Sequence, residues 1–203
     1  SGYGPRGPEA KEPAFDLIGQ ARSGIMFTIG EPDTPPVLIA GGVADQMGAI
    51  ITFSGILAAL LARERLGIGQ KIDVSHLGSM MAFQGLGIGL RLYHGQELPR
   101  PGRKTAGNPL WNYYPCRDGR WLMLGMLQSE RYWPTLCQAL GIEHLEKDPR
   151  FEDMVKRAEN CAELIRIMDE IFITKSSSEW MKILKETGDI ICTPVQTVSD
   201  LLS

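Results

Sequence analysis

Apolar residues recur most regularly between positions 46 and 65. There Met47, Ile50, Ile51, Phe53, Ile56, Leu57, Leu60 and Leu61 fall at the three- and four-residue steps of a buried helix. Gly67 and Gly69 end that run behind the charged turn Arg63, Glu64, Arg65. Asp45 stands immediately in front of it, where a short carboxylate accepts hydrogen bonds from the first free backbone N–H groups. Upstream, residues 1–15 are Gly- and Pro-rich loop, and residues 16–28 predict a helix followed by a short extended piece. A Pro-rich turn at 32–36 leads into extended apolar residues 37–40, which Gly41 and Gly42 interrupt. Downstream, residues 71–74 alternate as a short strand. Residues 77–93 predict a second buried helix, weakened by Gly85, Gly87 and Gly89.

The pattern then changes. Gly, Pro and basic residues crowd positions 94–109, which we read as a domain boundary or crossing loop. Beyond it, residues 112–115 and 120–125 flank Arg117, Asp118 and Gly119 as a hairpin would. Helical patterns follow at 129–140, 157–172 and 177–186. In front of the last, Ser176 with Glu179 three residues on forms a capping box. A strand is expected at 190–195, and Ser199 is placed to cap a further helix. The chain thus reads as α/β. Residues 1–93 are part of a large domain, 94–110 a linker and 111–203 a smaller α+β domain.

Composition narrows the partners. Of 203 residues, 43% are hydrophobic and 22% charged, and the net charge is -3. No basic stripe suggests nucleic acid. Every apolar run is interrupted by Arg, Glu, Gly or Gln before it reaches the ~20 residues of a membrane span, so we expect no membrane role. Four widely spaced cysteines form no C-x-x-C pair or ligand cluster, as reduced thiols of a cytoplasmic protein would be arranged. The opening residues carry neither an initiator Met nor a signal pattern and read as the interior of a longer chain.

No Walker loop, G-x-S-x-G elbow or metal-binding spacing is present. The candidate chemistry rests on Asp45, set between the small apolar run 39–44 and the helix. Glycines there admit a ligand to the backbone, helix-end N–H groups favour an oxyanion, and apolar walls exclude water. On this reading Asp45 is either a nucleophile or base, or simply a helix cap.

Several separated segments together resemble CoA-transferase family III. They are Ser1-Gly2-Tyr3-Gly4 with Gly7-Pro8, Phe15-Asp16 with Gln20-Ala21 and Ser23-Gly24, Gly41 to Asp45, residues 56–65, and Leu66-Gly67 followed by Gly69 to Ser75. Asn108, Asp118-Gly119 and residues 192–195 extend the match more weakly. The resemblance implies that residues 1–93 belong to a Rossmann-like large domain and that Asp45 is the acyl acceptor. Phe15, Gly41, Gly42 and His76 then fall at substrate- or CoA-binding positions, His76 near the CoA sulfur, where it either tunes or protonates the thiolate or is a hydrogen-bonded structural residue. It also implies an acyl-CoA and a small carboxylic acid as substrates, no permanently bound cofactor or metal, and an interlocked homodimer.

Two departures stand out. In the racemase branch the position of Phe15 is a histidine paired with the aspartate for proton transfer, so Phe15 favours transfer over racemisation. His76 replaces a residue that is usually apolar, and Gly78 one that is often aspartate. A racemase-like isomerase and a non-catalytic fragment or binding module remain as alternatives. Arg100, Arg103 and Lys104 form a basic cluster, read either as a solvated loop or as a contact for CoA phosphates. His94 and His144 are expected to face solvent, and Trp111, Tyr113 and Tyr114 to pack in the second domain's core.

Overall fold

A computed structural model describes residues 1–100 and 102–202. The chain divides into two compact units, Ser1–Pro101 and Gly102–Ser203, and its class is mixed α/β. Unit 1 contains α1 (Asp16–Ser23), α2 (Val43–Leu66), α3 (His76–Phe83) and α4 (Gly85–His94). Unit 2 contains β1 (Tyr113–Pro115), β2 (Trp121–Leu124), α5 (Ser129–Leu140), α6 (Met154–Glu159), α7 (Cys161–Phe172), α8 (Ser177–Thr187) and β3 (Cys192–Pro194).

Unit 2 is a three-stranded antiparallel sheet in the order β1-β2-β3 with helices packed on it. Tyr114 pairs with Leu122, and Leu122 with Pro194. The hairpin turn is made by Gly119 at φ 76°, with Cys116 N–H bonded to the Arg120 carbonyl at 2.8 Å. Alternation along β2 buries Leu122 and Leu124. They join a continuous core in which Tyr114 stacks on Phe172 at 5.0 Å and Phe172 meets Trp180 at 5.1 Å. The polar tips are satisfied, Tyr114 O–H by the Pro109 carbonyl and Trp180 Nε1–H by that of Phe172, both at 2.7 Å. The buried Arg157 lies over the Trp133 ring and donates to the Phe151 carbonyl at 2.8 Å and to Glu130 at 2.7 Å.

The capping box at the start of α8 is present as its sequence predicts, with Ser176 and Glu179 bonding reciprocally. The helix expected at 157–172 is instead split into α6 and α7 at Asn160. The Asn160 side-chain amide donates to the Lys156 carbonyl at 2.9 Å and to that of Arg150 at 3.1 Å, ending α6. At the chain's end Ser199–Leu201 is a single 3-10 turn.

Unit 1 departs further from expectation. The helix expected at 77–93 breaks at Gln84, whose side chain donates to the Ser23 carbonyl at 3.0 Å. Residues 25–27 form a 3-10 turn, not an extended piece. The strand expected at 71–74 has no ladder among the described residues. Its Val74 carbonyl accepts from the amino group and hydroxyl of Ser1, each at 3.1 Å. The packed core among the described residues of this unit is small, formed by Ile25, Ala44 and Met80. Helix α2 is where expected but is not buried. Only Ala44 is buried along it, while Ile50, Phe53, Leu57 and Leu66 are exposed.

The expectation that no apolar run is long enough to cross a membrane is also corrected by α2, which at 24 residues is long and apolar enough by length and composition. Gly and Gln do not break a helix, and the charges Asp45, Arg63, Glu64 and Arg65 sit at its ends. The core helix of a soluble protein meets the same description.

Candidate active site

The site is built on the entry to α2. Gly41 at φ 89° and Gly42 at φ 70° turn the chain through the left-handed region, where a side chain would be strained. The residue preceding the helix is Gly42, which offers no side-chain cap. Asp45 therefore does not cap α2, as expected from its position, but lies within the first turn. The cap comes from α1. Asp16 Oδ1 accepts from Ala44 N–H at 2.7 Å and from Asp45 N–H at 3.4 Å.

Asp16 is held in turn by the fully buried Gln20, whose side-chain amide donates to Asp16 Oδ2 at 2.7 Å and to the Ile39 carbonyl at 2.9 Å. Gln20 also accepts from Ile39 N–H at 2.8 Å. One side chain thus fixes the extended approach to the glycine turn and the carboxylate that caps the helix after it. Gln46 reaches back to the Gly41 carbonyl. With the cap supplied elsewhere, the Asp45 carboxylate is released from the backbone and is 61% exposed.

His76 opens α3, a helix capped by Ser75, whose hydroxyl accepts from Gly78 N–H at 3.0 Å. Its backbone N–H donates to the Ser1 carbonyl at 3.0 Å. The imidazole Nε2 lies 2.8 Å from Asp45 Oδ1. On the other side of the ring, Nδ1 is buried with no partner among the described residues. The ring fits because two helices offer no side chain beside it. A Cβ on Gly19 would stand 2.9 Å from His76 Cβ, and one on Gly48 would stand 3.9 Å from His76 Cδ2. Asp45, His76, Gly48, Thr52 and Val74 line an open groove of about 210 Å³.

Of the positions singled out in the sequence, the structure brings Gly41, Gly42, Asp45 and His76 to this corner. Phe15 precedes α1 next to Asp16, with its ring 81% exposed. Asp16, Gln20 and Gly19 went unread as functional support, although the first two stand within the segment that carries the family resemblance.

Of the basic cluster, Lys104 is exposed, while Arg100 and Arg103 are engaged. Arg100 donates to the carbonyls of Met26, Ile29, Thr34 and Pro35, and Arg103 pairs with Asp169. His94 and His144 are exposed. Tyr114 packs in the core of unit 2, but Trp111 and Tyr113 are partly exposed and do not. The cysteines are free, and burial pushes Cys116 up to about 11 and Cys137 up to about 12, which leaves both thiols protonated near neutral pH. No group of three or more metal-ligating side chains occurs among the described residues.

The family model described as CoA-transferase family III matches residues 1–203. An (R)-2-hydroxy-4-methylpentanoate CoA-transferase from Clostridioides difficile is 30% identical over 99% of the chain and 50% of its own length. An acetyl-CoA:oxalate CoA-transferase from Acetobacter aceti is 31% identical over 93% of the chain and 48% of its own length. Among solved structures, a CAIB/BAIF family protein from Brucella suis superposes with a TM-score of 0.91 at 27% identity, over 100% of this chain and 53% of that one. The chain thus spans about half the length of the curated relatives it matches.

Proposed function

The chain belongs to CoA-transferase family III, and on that premise we propose that Asp45 is the nucleophile of a reaction moving CoA from an acyl-CoA to a carboxylic acid. The supporting observation is the state of its carboxylate. Oδ1 is engaged by His76, whereas Oδ2 has no hydrogen-bond partner among the described residues. Oδ2 faces Gly42, where even a Cβ would stand 3.8 Å away. An exposed carboxylate oxygen beside a glycine turn is open to an incoming thioester.

In this reading Oδ2 attacks the thioester carbonyl, and the C–S bond breaks with its electron pair going to the CoA thiolate. A mixed anhydride on Asp45 results. The thiolate then attacks Asp45 Cγ, and the donor acid departs as a carboxylate carrying Oδ2. The acceptor carboxylate attacks Cγ of the aspartyl thioester, expelling the thiolate and forming a second anhydride. Attack of the thiolate on the acceptor's carbonyl releases the new acyl-CoA and restores the carboxylate. Each step keeps the acyl group activated, provided water stays out.

Residues 1–93 are assigned in the same proposal to a larger Rossmann-like domain, with Phe15, Gly41 and Gly42 against the substrate. The protein is read as a cytoplasmic homodimer whose partners are an acyl-CoA and a small carboxylic acid. Racemisation needs an acid and a base on opposite faces of one carbon. Phe15 supplies neither, and Asp45 and His76, 2.8 Å apart, leave no gap for a carbon between them.

The test is to incubate the full-length protein with acetyl-CoA, succinyl-CoA and cinnamoyl-CoA and weigh the peptide that contains Asp45. A CoA-sized addition on Asp45 is expected, and Asp45→Ala should lower transfer by at least about 10³-fold. The fold should survive, because a first-turn carboxylate contributes only about 0.3–1 kcal/mol against a total of about 5–15 kcal/mol. Substantial transfer by the folded variant, or an adduct on another residue, removes the assignment.

A further inference from the structure

We infer that His76 supplies the oxyanion donor for the half of the reaction in which Asp45 Cγ is itself the electrophile. The inference rests on Asp45 being the acyl carrier. Two of its steps, thiolate attack on the anhydride and acceptor attack on the aspartyl thioester, pass through a tetrahedral Cγ. In both, negative charge collects on the oxygen that is not exchanged in that step, the aspartyl carbonyl oxygen. With Oδ2 as the acylated atom, that oxygen is Oδ1.

The geometry places a ring nitrogen beside it in advance. Nε2 of His76 stands 2.8 Å from Oδ1, and with the proton on Nε2 the imidazole is within reach to donate to that oxygen. A donor standing this close to the atom where charge develops needs little reorganisation when the reaction occurs, which is the condition for large electrostatic stabilisation. Of the backbone N–H groups at the start of α2, those of Ala44 and Asp45 point to Asp16 and that of Gln46 to the Gly42 carbonyl, so these three are not free for Oδ1.

Nδ1 of His76 is buried without a partner, so the ring's polar contact among the described residues is the one with Asp45. Its position is set by packing, with Gly19 and Gly48 leaving room on either side. The side chain is 22% exposed, which shields the ion-pair contact from water more than Asp45 itself is shielded.

The experiment reads Cγ chemistry directly, using hydroxylamine as the nucleophile. Its nitrogen attacks Cγ of the aspartyl-CoA adduct, the C–S bond breaks, and CoA leaves as the thiol with a proton from that nitrogen, leaving an aspartyl hydroxamate. Full-length wild type, His76→Ala, His76→Leu and His76→Gln are loaded with the acyl-CoA that labels Asp45. Appearance of the adduct, and its discharge by hydroxylamine, are followed by mass spectrometry.

Both rates should fall by about 10²–10³-fold in His76→Ala and His76→Leu, and His76→Gln, whose amide can donate, should recover at least about tenfold of the loss. After denaturation all adducts should discharge at one rate. His76→Leu fills the space of the ring, so a folding defect of His76→Ala does not decide the result. Rates within about threefold of wild type in either folded variant overturn the inference and leave the Asp45 assignment standing. Failure of wild type to form the adduct overturns both.

Discussion

The two units are of similar length, yet they use their apolar residues in opposite ways. Unit 2 folds them inward, so that Tyr114, Phe172 and Trp180 form one aromatic column closed over by Leu122, Leu136, Leu164 and Leu184. In unit 1 the longest helix carries Ile50, Phe53, Leu57 and Leu66 on its surface, and the packed core consists of Ile25, Ala44 and Met80. The difference lies in what holds each unit together. Unit 2 rests on area removed from water, and unit 1 on polar fastenings such as Asp16 on α2, Gln20 on residue 39 and Arg100 on four carbonyls. The candidate site lies in the unit held by fastenings. Its relatives are about twice as long, which leaves ample chain in those proteins to meet such an apolar face.

The comparison breaks most readily on a pair of phenylalanines. Phe172 is fully buried and Phe53 is 62% exposed. Phe172→Ala should cost about 3–5 kcal/mol and Phe53→Ala less than about 0.5 kcal/mol in urea unfolding of the 203-residue chain. Equal costs would mean that the apolar face of α2 is covered in solution. Repeating Phe53→Ala in the full-length protein sharpens the point, since a cost approaching that of a core residue would show the face to be buried there.

A smaller effect is expected from Gly19→Ala, which acts on a close approach in unit 1. The added Cβ meets His76 Cβ at 2.9 Å and Ala44 Cβ at 3.0 Å. Overpacking of this kind costs about 1–3 kcal/mol, against about 1 kcal/mol recovered from helix propensity. The greater consequence should be displacement of His76 from Asp45, read as reduced turnover in a variant that remains folded at the assay temperature. Unaltered turnover in a folded variant would show that the His76 ring tolerates movement.

Acid provides the smallest effect, and it addresses unit 2. The hydrogen bonds of the Arg150 side chain hold Asp148 down at about 2, and the hydroxyl and N–H of Ser176 hold Glu179 below its ordinary value. For Asp118, burial pulls upward, but bonds from the Ser177 N–H and hydroxyl outweigh it and its carboxyl is also lowered. A carboxylate depressed in the folded state contributes stability above its unfolded value, near 4. That contribution is lost as pH falls through the folded value. Unit 2 should therefore weaken modestly between about pH 4 and about pH 2. All four tryptophans lie in it, at 111, 121, 133 and 180, so their fluorescence during urea unfolding reports on this unit. A midpoint that does not move across this range would mean that these bonds persist in the unfolded chain.

Where a signal was local, the sequence was sufficient. The hairpin around Gly119, the capping box of α8, the span of α5 and the course of α2 follow from spacings of two, three and four residues. Each depends on neighbours a turn or a pleat away, and those are written consecutively in the chain. The Gly41-Gly42 turn in front of an aspartate was equally plain. Burial was not, because a 3.6-residue period tells which residues share a face but not whether anything packs against it. So α2 was read as buried although its apolar face lies open.

The site's chemistry depended on contacts that no spacing encodes. Asp16 reaches the helix entrance across 28 residues and takes over the cap, which frees the Asp45 carboxylate. Gly19 makes room for an imidazole from another helix, and that imidazole settles on one oxygen of Asp45. By itself, then, the sequence determined the course of α2, α5 and α8, the hairpin around Gly119, and which aspartate stands behind the glycine turn. The tertiary structure alone decided that this aspartate has one oxygen beside His76 and one open one, because local hydrogen bonds are chosen among neighbours in the chain, whereas a side chain's surroundings are set by distant groups that only the fold brings to it.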